Sequence, residues 1–255
     1  MSTLSLIGIG ELVKRLLTFR TVREPLTVAV AQPPCVSYDV AGNAFAHAAA
    51  VRSAGTRVVV FPELSLTGYE LDADVVALDD PRLAPVVEAC ADTGALVLVG
   101  APVSGDAGRS HIAMLAVDGT GVAVAYRKMW LGGAEPDRFS PGGEPAVLGV
   151  DGWRLGLAIC KDTGVVEHAV DTAALGIDVY AAGTVKSAVE ASLQEERARR
   201  VATDHGVWVA VASFAGSTGG GFDRAAGRSG IWAPGGSLFA QAGAEPGVVV
   251  RATLR

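Results

Sequence analysis

The sequence predicts an α/β fold, and three observations lead there. Strand and helix signals alternate nearly to the C-terminus. The strands are short, apolar and rich in valine, as expected when helices cover one face of a sheet and more protein covers the other. Early crossover units give way to late hairpins, which calls for one mixed sheet or two packed sheets.

Taken in order, "LTVAVAQ" (26–32) reads as a strand and "VAGNAFAHAAAVRSAG" as an alanine-rich helix. "RVVVFPE" (57–63) is a second strand. "PRLAPVVEACADTG" is a helix stopped by Gly94, and "ALVLVGAPV" a third strand. "HIAMLAVDGTGVAVAYRK" reads as a hairpin around Asp118-Gly119, and a second hairpin turns at Asp151-Gly152. "RLGLAICKDTG" (154–164) alternates apolar and small residues up to Ile159 and then meets Cys160. The helix "GVVEHAVDTAALG" follows, with Thr163 or Asp162 as N-cap and Gly176 as its stop. After the strand "IDVYAAG" comes the helix "SAVEASLQEERARRVATDHG". Its Glu195 and Glu196 stand four residues before Arg199 and Arg200, the spacing of intrahelical pairs. "VWVAVASF", "RSGIWAP", "SLFAQAG" and "GVVVRATL" close the chain as strands.

No linker or repeat divides the chain, so residues 26–255 read as one domain. Residues 1–25 read as an extension, with Ile9, Val13, Leu16 and Leu17 at helical spacing. At 255 residues, half of them hydrophobic, a sizeable core is expected and disorder is not. The net charge of −6 argues against a general nucleic-acid binder. The apolar runs have strand length, so no membrane span is expected despite a mean hydropathy of +0.36. Three cysteines without metal-ligand spacing indicate neither a disulfide scaffold nor a zinc site, and a reducing cytoplasm fits best.

Chemistry gathers at three strand ends. Cys160 stands where the chain leaves the core just before a helix start, a place where free N–H groups favour a thiolate. Cys35, after Pro33-Pro34, and Cys90, on a helix face, read as packing residues. His47, His111, His168 and His205 occupy no strand end and read as structural or surface residues, so a Cys-His pairing is weak. Glu63 follows an apolar strand and Pro62, where partial burial would raise its pKa into the useful range. Arg127-Lys128 ends another strand and offers a cation for a developing oxyanion. Parallel strands of one sheet would bring such ends to a shared crevice. The glycine-rich "GSTGGG" lacks the Gly-Lys-Ser/Thr ending of a phosphate loop and reads as a flexible turn.

With "FPELSLTGY", "YRKMWL" and "LGLAICKD" in this order, the chain from residue 26 onward resembles the nitrilase, or carbon-nitrogen hydrolase, superfamily. The resemblance implies an αββα sandwich of two mixed sheets that pairs into a homodimer or larger even assembly. It also implies a Glu63-Lys128-Cys160 triad in which Cys160 is the nucleophile and Glu63 the proton carrier. Lys128 and the Lys161 backbone N–H would stabilise the oxyanion. Glu135, in "GGAEPDRFSPGG", matches a second carboxylate common in the family. Tyr69, Trp130 and Lys161 would line the substrate site. The implied reaction is hydrolysis of a small linear amide through a thioester, with no metal and no cofactor. Rivals are N-carbamoyl amine hydrolysis and a non-catalytic binding protein that keeps the fold. Gly164, Val166 and Trp130 depart from the family pattern, which commonly has Arg, Pro and His there, and Lys161 stands where an aromatic is common.

Overall fold

The computed structural model describes residues 23–105 and 108–255. The amphipathic helix expected near the N-terminus falls within residues 1–22, outside the described residues.

The first half supplies β1 (Leu26–Gln32), α1 (Val40–Ala54), β2 (Val58–Val60), α2 (Ala84–Thr93), β3 (Leu96–Ser104), β4 (Ser110–Asp118) and β5 (Gly121–Arg127). The second half supplies β6 (Val147–Val150), β7 (Trp153–Ile159), α3 (Val166–Ala174), β8 (Val179–Thr184), α4 (Ala191–His205) and β9 (Trp208–Ser213). The short pair β10 (Ala215–Gly216) and β11 (Ala225–Ala226) follows, then β12 (Gly230–Trp232), β13 (Leu238–Gln241) and β14 (Val248–Leu254).

Two six-stranded sheets result, ordered β14-β1-β2-β3-β4-β5 and β13-β12-β9-β8-β7-β6. In each, three adjacent strands run parallel, β1-β2-β3 in one and β7-β8-β9 in the other, and their remaining neighbours pair antiparallel. The alternation of side chains along each strand splits the apolar residues between two faces. Val28, Val30, Val58, Val60, Leu155, Leu157 and Ile159 pack between the sheets. Ala29, Ala31, Val59, Val97 and Val99 face α1 and α2. Ala158, Tyr180, Ala182, Val209 and Val211 face α3 and α4. The architecture is therefore αββα, two mixed sheets with a helix layer outside each.

Several local expectations change in detail. The first hairpin turns on Gly119-Thr120, because Asp118 pairs with Gly121 and its carboxylate accepts from Thr120 N and Oγ1. The second turns on Asp151-Gly152, both with positive φ, as a two-residue turn of this type requires. Helix α3 begins only at Val166 and has no side-chain cap. Residues Cys160–Gly164 form a separate 3-10 turn before it, and Asp162 serves that turn. Glu195 does not pair along its helix but reaches the Arg228 guanidinium, and Arg200 donates to Thr163 O at 3.0 Å.

Candidate active site

Cys160, Glu63 and Lys128 meet, but not as ends of one sheet. Glu63 lies three residues beyond β2 and Lys128 directly after β5, both in the first sheet, whereas Cys160 follows β7 of the second. Two antiparallel steps from β3 to β5 restore the direction of β2, so Glu63 and Lys128 leave the same edge. The crevice lies between facing sheets, which is why a single-sheet argument misplaces the cysteine.

Glycines permit the approach. A Cβ on Gly183 of β8 would lie 2.7 Å from Phe61 O, and one on Gly100 of β3 would lie 2.2 Å from Leu64 N. The segment Phe61–Leu64 is thus held between a bare strand of each sheet.

At the centre, Lys128 Nζ donates to Glu63 Oε1 at 2.5 Å and to Glu135 Oε1 at 2.7 Å. All three residues are about 1% exposed. An ammonium has three N–H groups, so one remains. Glu135 opens a short 3-10 turn over Glu135–Asp137. Its other oxygen accepts from Gly132 N at 2.7 Å, and Tyr69 OH donates to Oε1 at 2.6 Å. Glu63 Oε2 is buried and has no hydrogen-bond partner among the described residues.

Two carboxylates share one buried cation, and the titration follows from that. Burial pushes the Glu63 carboxyl up to about 7; Lys128 opposes the shift and Glu135 adds to it. Burial pulls the Lys128 ammonium down, but Glu63, Cys160 and Glu135 together hold it above the ordinary lysine range. Burial, with Glu63 beside it, pushes the Cys160 thiol up to about 12. Burial and Glu63 thus outweigh the free N–H groups of the 3-10 turn that begins at Cys160, and α3 itself starts six residues after the cysteine.

Cys160 has φ 42°, a left-handed conformation that costs a non-glycine residue about 1–3 kcal/mol. The turn that imposes it is tied by Asp162, whose carboxylate accepts from Ile159 N, Trp130 N and Tyr126 OH at 2.8–2.9 Å. The Cys160 thiol donates to Val185 O at 3.4 Å, next to the Glu63 carboxyl that it also influences. Behind Asp162, Tyr126 OH must accept from His168 Nε2, and Tyr180 OH then donates to Nδ1. Burial holds His168 near pKa 4, so this histidine is neutral and structural. His47 is likewise buried, between Asn43 O and Ser65.

The three residues read as substrate-lining take different places. Tyr69 is joined to Glu135, as above. The Trp130 indole is half-buried, its ring edge-on to His168. Lys161 is exposed, and its ammonium donates to Leu131 O at 2.5 Å, which braces the loop leading to Glu135. Its backbone N–H lies in the first turn of a helical segment, where N–H groups lack an upstream acceptor.

Two parts of the site escaped the sequence reading. The sequence pattern marks Asp162 only as a helix cap, although its place two residues after the cysteine is an available signal. The "GSTGGG" segment is a packed loop on the Tyr69 wall. Tyr69 N donates to Thr218 O at 2.8 Å, and the Phe222 ring stands edge-on to Tyr69. Gly220 has φ 55°, and a Cβ there would lie 2.0 Å from Tyr69 O.

An amidase of the nitrilase superfamily from Nesterenkonia AN1 superposes with a TM-score of 0.81 at 24% identity, covering 91% of each chain. Saccharomyces cerevisiae Nit3, of branch 10 of that superfamily, gives 0.81 at 22%, covering 91% of this chain and 90% of its own. At these identities the likeness is one of fold. In sequence, a Pseudomonas protegens protein described as a hydrolase in the pqqF 5′ region is 29% identical over 234 residues, 88% of this chain and 81% of its own. An (R)-stereoselective amidase of a Pseudomonas species is 31% identical over 138 residues, 52% of this chain and 50% of its own. The carbon-nitrogen hydrolase family model matches residues 27–254. The chain belongs to the carbon-nitrogen hydrolase family, and it is an enzyme that hydrolyses carbon–nitrogen bonds.

Proposed function

We propose that the enzyme hydrolyses a small linear amide to its acid and ammonia through a thioester on Cys160. The observation that carries this reading is Glu63 Oε2, a buried carboxylate oxygen without a partner among the described residues, beside a thiol.

In this reading Glu63 takes the Cys160 proton as Sγ attacks the amide carbonyl carbon. The spare N–H of Lys128 and the backbone N–H of Lys161 hold the resulting oxyanion. The tetrahedral adduct collapses, Glu63 passes its proton to the nitrogen, and ammonia leaves. Water then gives a proton to Glu63 and attacks the thioester; the acid departs and the proton returns to sulfur. A base near pKa 7 suits both transfers at neutral pH. Glu135 and Tyr69 keep Lys128 in place.

Rapid quenching with acid during turnover of an amide, followed by intact-mass analysis, tests the step. An acyl adduct mapping to Cys160 is expected. Turnover with Cys160 never acylated would overturn the reading. Ammonia without carbon dioxide separates an amide from an N-carbamoyl substrate.

Assembly and location belong to the same proposal. Val166 and Val170 are exposed along α3 and Leu175 directly after it, more apolar surface than a solvent-facing helix needs. Two copies pair through α3 and α4. Light scattering at micromolar concentration should give at least twice the 26.0 kDa chain mass; a monomer would refute it. Three free cysteines, one of them the nucleophile, suit the reducing cytoplasm. No described helix is long and apolar enough to cross a membrane.

A further inference from the structure

We propose that Lys161 is a positioning residue whose side chain, through a strap formed by residues 130–132, holds Glu135 in register with the cysteine turn. This rests on the amidase reading above, which gives Glu135 the task of keeping Lys128 in place, and it names what keeps Glu135 itself in place.

The strap needs holding because its sequence leaves it free. From the end of β5 at Arg127 to the 3-10 turn at Glu135 the chain forms neither helix nor strand. It passes through Gly132 and Gly133, the latter with φ 48°, and glycine has more backbone freedom to lose than any other residue. Yet three consecutive residues are each bonded to the site. Trp130 N donates to Asp162 Oδ1 at 2.9 Å, Leu131 O accepts from Lys161 Nζ at 2.5 Å, and Gly132 N donates to Glu135 Oε2 at 2.7 Å. Glu135 N donates in return to Gly132 O at 2.9 Å.

Those partners make the strap a bridge. Lys161 and Asp162 are neighbours on the turn that opens with Cys160, and Glu135 is one of the two carboxylates on Lys128. Gly132 lies between the two sides, since a Cβ there would stand 3.4 Å from Lys161 Cδ and 4.0 Å from Glu135 Oε2. The lysine stem therefore packs on the residue whose N–H fixes the carboxylate. Asp162 also ties the cysteine turn, so its removal would disturb the nucleophile directly. Lys161 is exposed, and among the described residues its ammonium bonds to the strap alone. Here the register can be loosened while the fold and the turn stay intact.

Loosening it has a defined consequence. Glu135 shares the Lys128 ammonium with Glu63, and its negative charge helps keep the Glu63 carboxyl in the range of a neutral-pH base. If Glu135 drifts, Lys128 is left more fully to Glu63, and the base weakens toward an ordinary carboxylate. Removal of the Cys160 proton then slows, while contacts that bind the amide are untouched. The loss falls on kcat and spares KM.

Ammonia release from butyramide makes the test. Lys161→Met should lower kcat about fivefold with KM unchanged, a modest size because the charged hydrogen bond is exposed. Lys161→Arg, which keeps a charged donor, should restore most of the rate. A double-mutant cycle shows the route of the effect. In a Glu135→Gln background Lys161→Met should cost less than about twofold, because the group it positions has already lost its charge. An equal cost in both backgrounds, or wild-type kinetics for Lys161→Met, overturns the proposal. So does a rise in KM alone, which would place the ammonium against substrate. A second readout needs no turnover: alkylation of Cys160 by iodoacetamide at pH 7 should slow in Lys161→Met, and no further when Glu135→Gln is added. That pattern without ammonia from any amide would support the strap and sink only the amidase reading. Ammonia release with kcat and alkylation both unmoved by Lys161→Met would sink only the strap.

Discussion

The chain beyond β2 and the chain beyond β7 each leave the carboxyl end of a parallel strand, β2 in the middle of its parallel trio and β7 at the side of its own, yet they are fixed by opposite means. Each carries a non-glycine residue with positive φ, Leu64 at 51° and Cys160 at 42°. Beyond β2, the reactive group is held by its side chain, since Glu63 is clamped to Lys128 and its backbone is wedged between glycines. Beyond β7, the reactive group is held by its backbone, through Asp162 and the turn it ties, while the thiol makes a long hydrogen bond to Val185 O beside the Glu63 carboxyl. A base must stay put through several proton transfers, whereas a nucleophile must move toward carbon and back. The difference in how they are held matches that difference in work.

Substitutions sharpen the contrast, the largest effect first. Cys160→Ala should lower turnover by roughly 10⁴-fold or more, as when a covalent nucleophile is removed, while unfolding curves stay near wild type. Cys35→Ala and Cys90→Ala should retain most activity. A Cys160→Ala enzyme at full rate would refute covalent catalysis.

Glu63→Gln should cost about 10³-fold, within the range of a positioned acid-base group. The pH profile checks the cause. Ionised Glu63 is the working base and its carboxyl sits near 7, so kcat/KM should rise as pH climbs through about 7. A flat profile from pH 5 to 8 would remove Glu63 from that role.

Glu135→Gln keeps shape and deletes one charge, and a loss of about a hundredfold is expected when an oxyanion partner is disturbed. Acylation should be the step that slows, so quenched samples should hold little acyl-enzyme. Wild-type kinetics would mean Glu135 only shapes its loop.

Tyr69→Phe removes one hydrogen bond to a charged group, worth about 1.5–3 kcal/mol, and should cost about tenfold in kcat. An effect on KM alone would place Tyr69 against substrate and not against Glu135.

Much of this was legible in the sequence because strand ends announce themselves. The apolar runs before Glu63, Lys128 and Cys160 break abruptly into polar residues, and periodicity locates such breaks well. The partition into two sheets was not legible from periodicity, because β2 and β7 read alike whether they share a sheet or face each other. Nor was the capping of the cysteine turn. Asp162 and Thr163 are both acceptable N-caps, and only the burial of Asp162 beside Tyr126 and Trp130 decides which backbone it serves. The glycine loop misled for a similar reason. Gly219, Gly220 and Gly221 suggest freedom, but the first two, both with positive φ, fit tightly against Glu70 and Tyr69.

The two glycines that admit Phe61–Leu64 bear on how the enzyme can be re-engineered. Enlarging residue 100 or 183 would shift the general base itself, so randomising either position should yield dead clones whatever substrate is screened. The loops that carry Tyr69 and Phe222 stand beside Glu135, Tyr69 bonded to its carboxylate and Phe222 edge-on to Tyr69, outside the strands that hold the general base. Libraries for altered selectivity belong there, and directed evolution should find its accepted changes in those loops while residues 100 and 183 return as glycine.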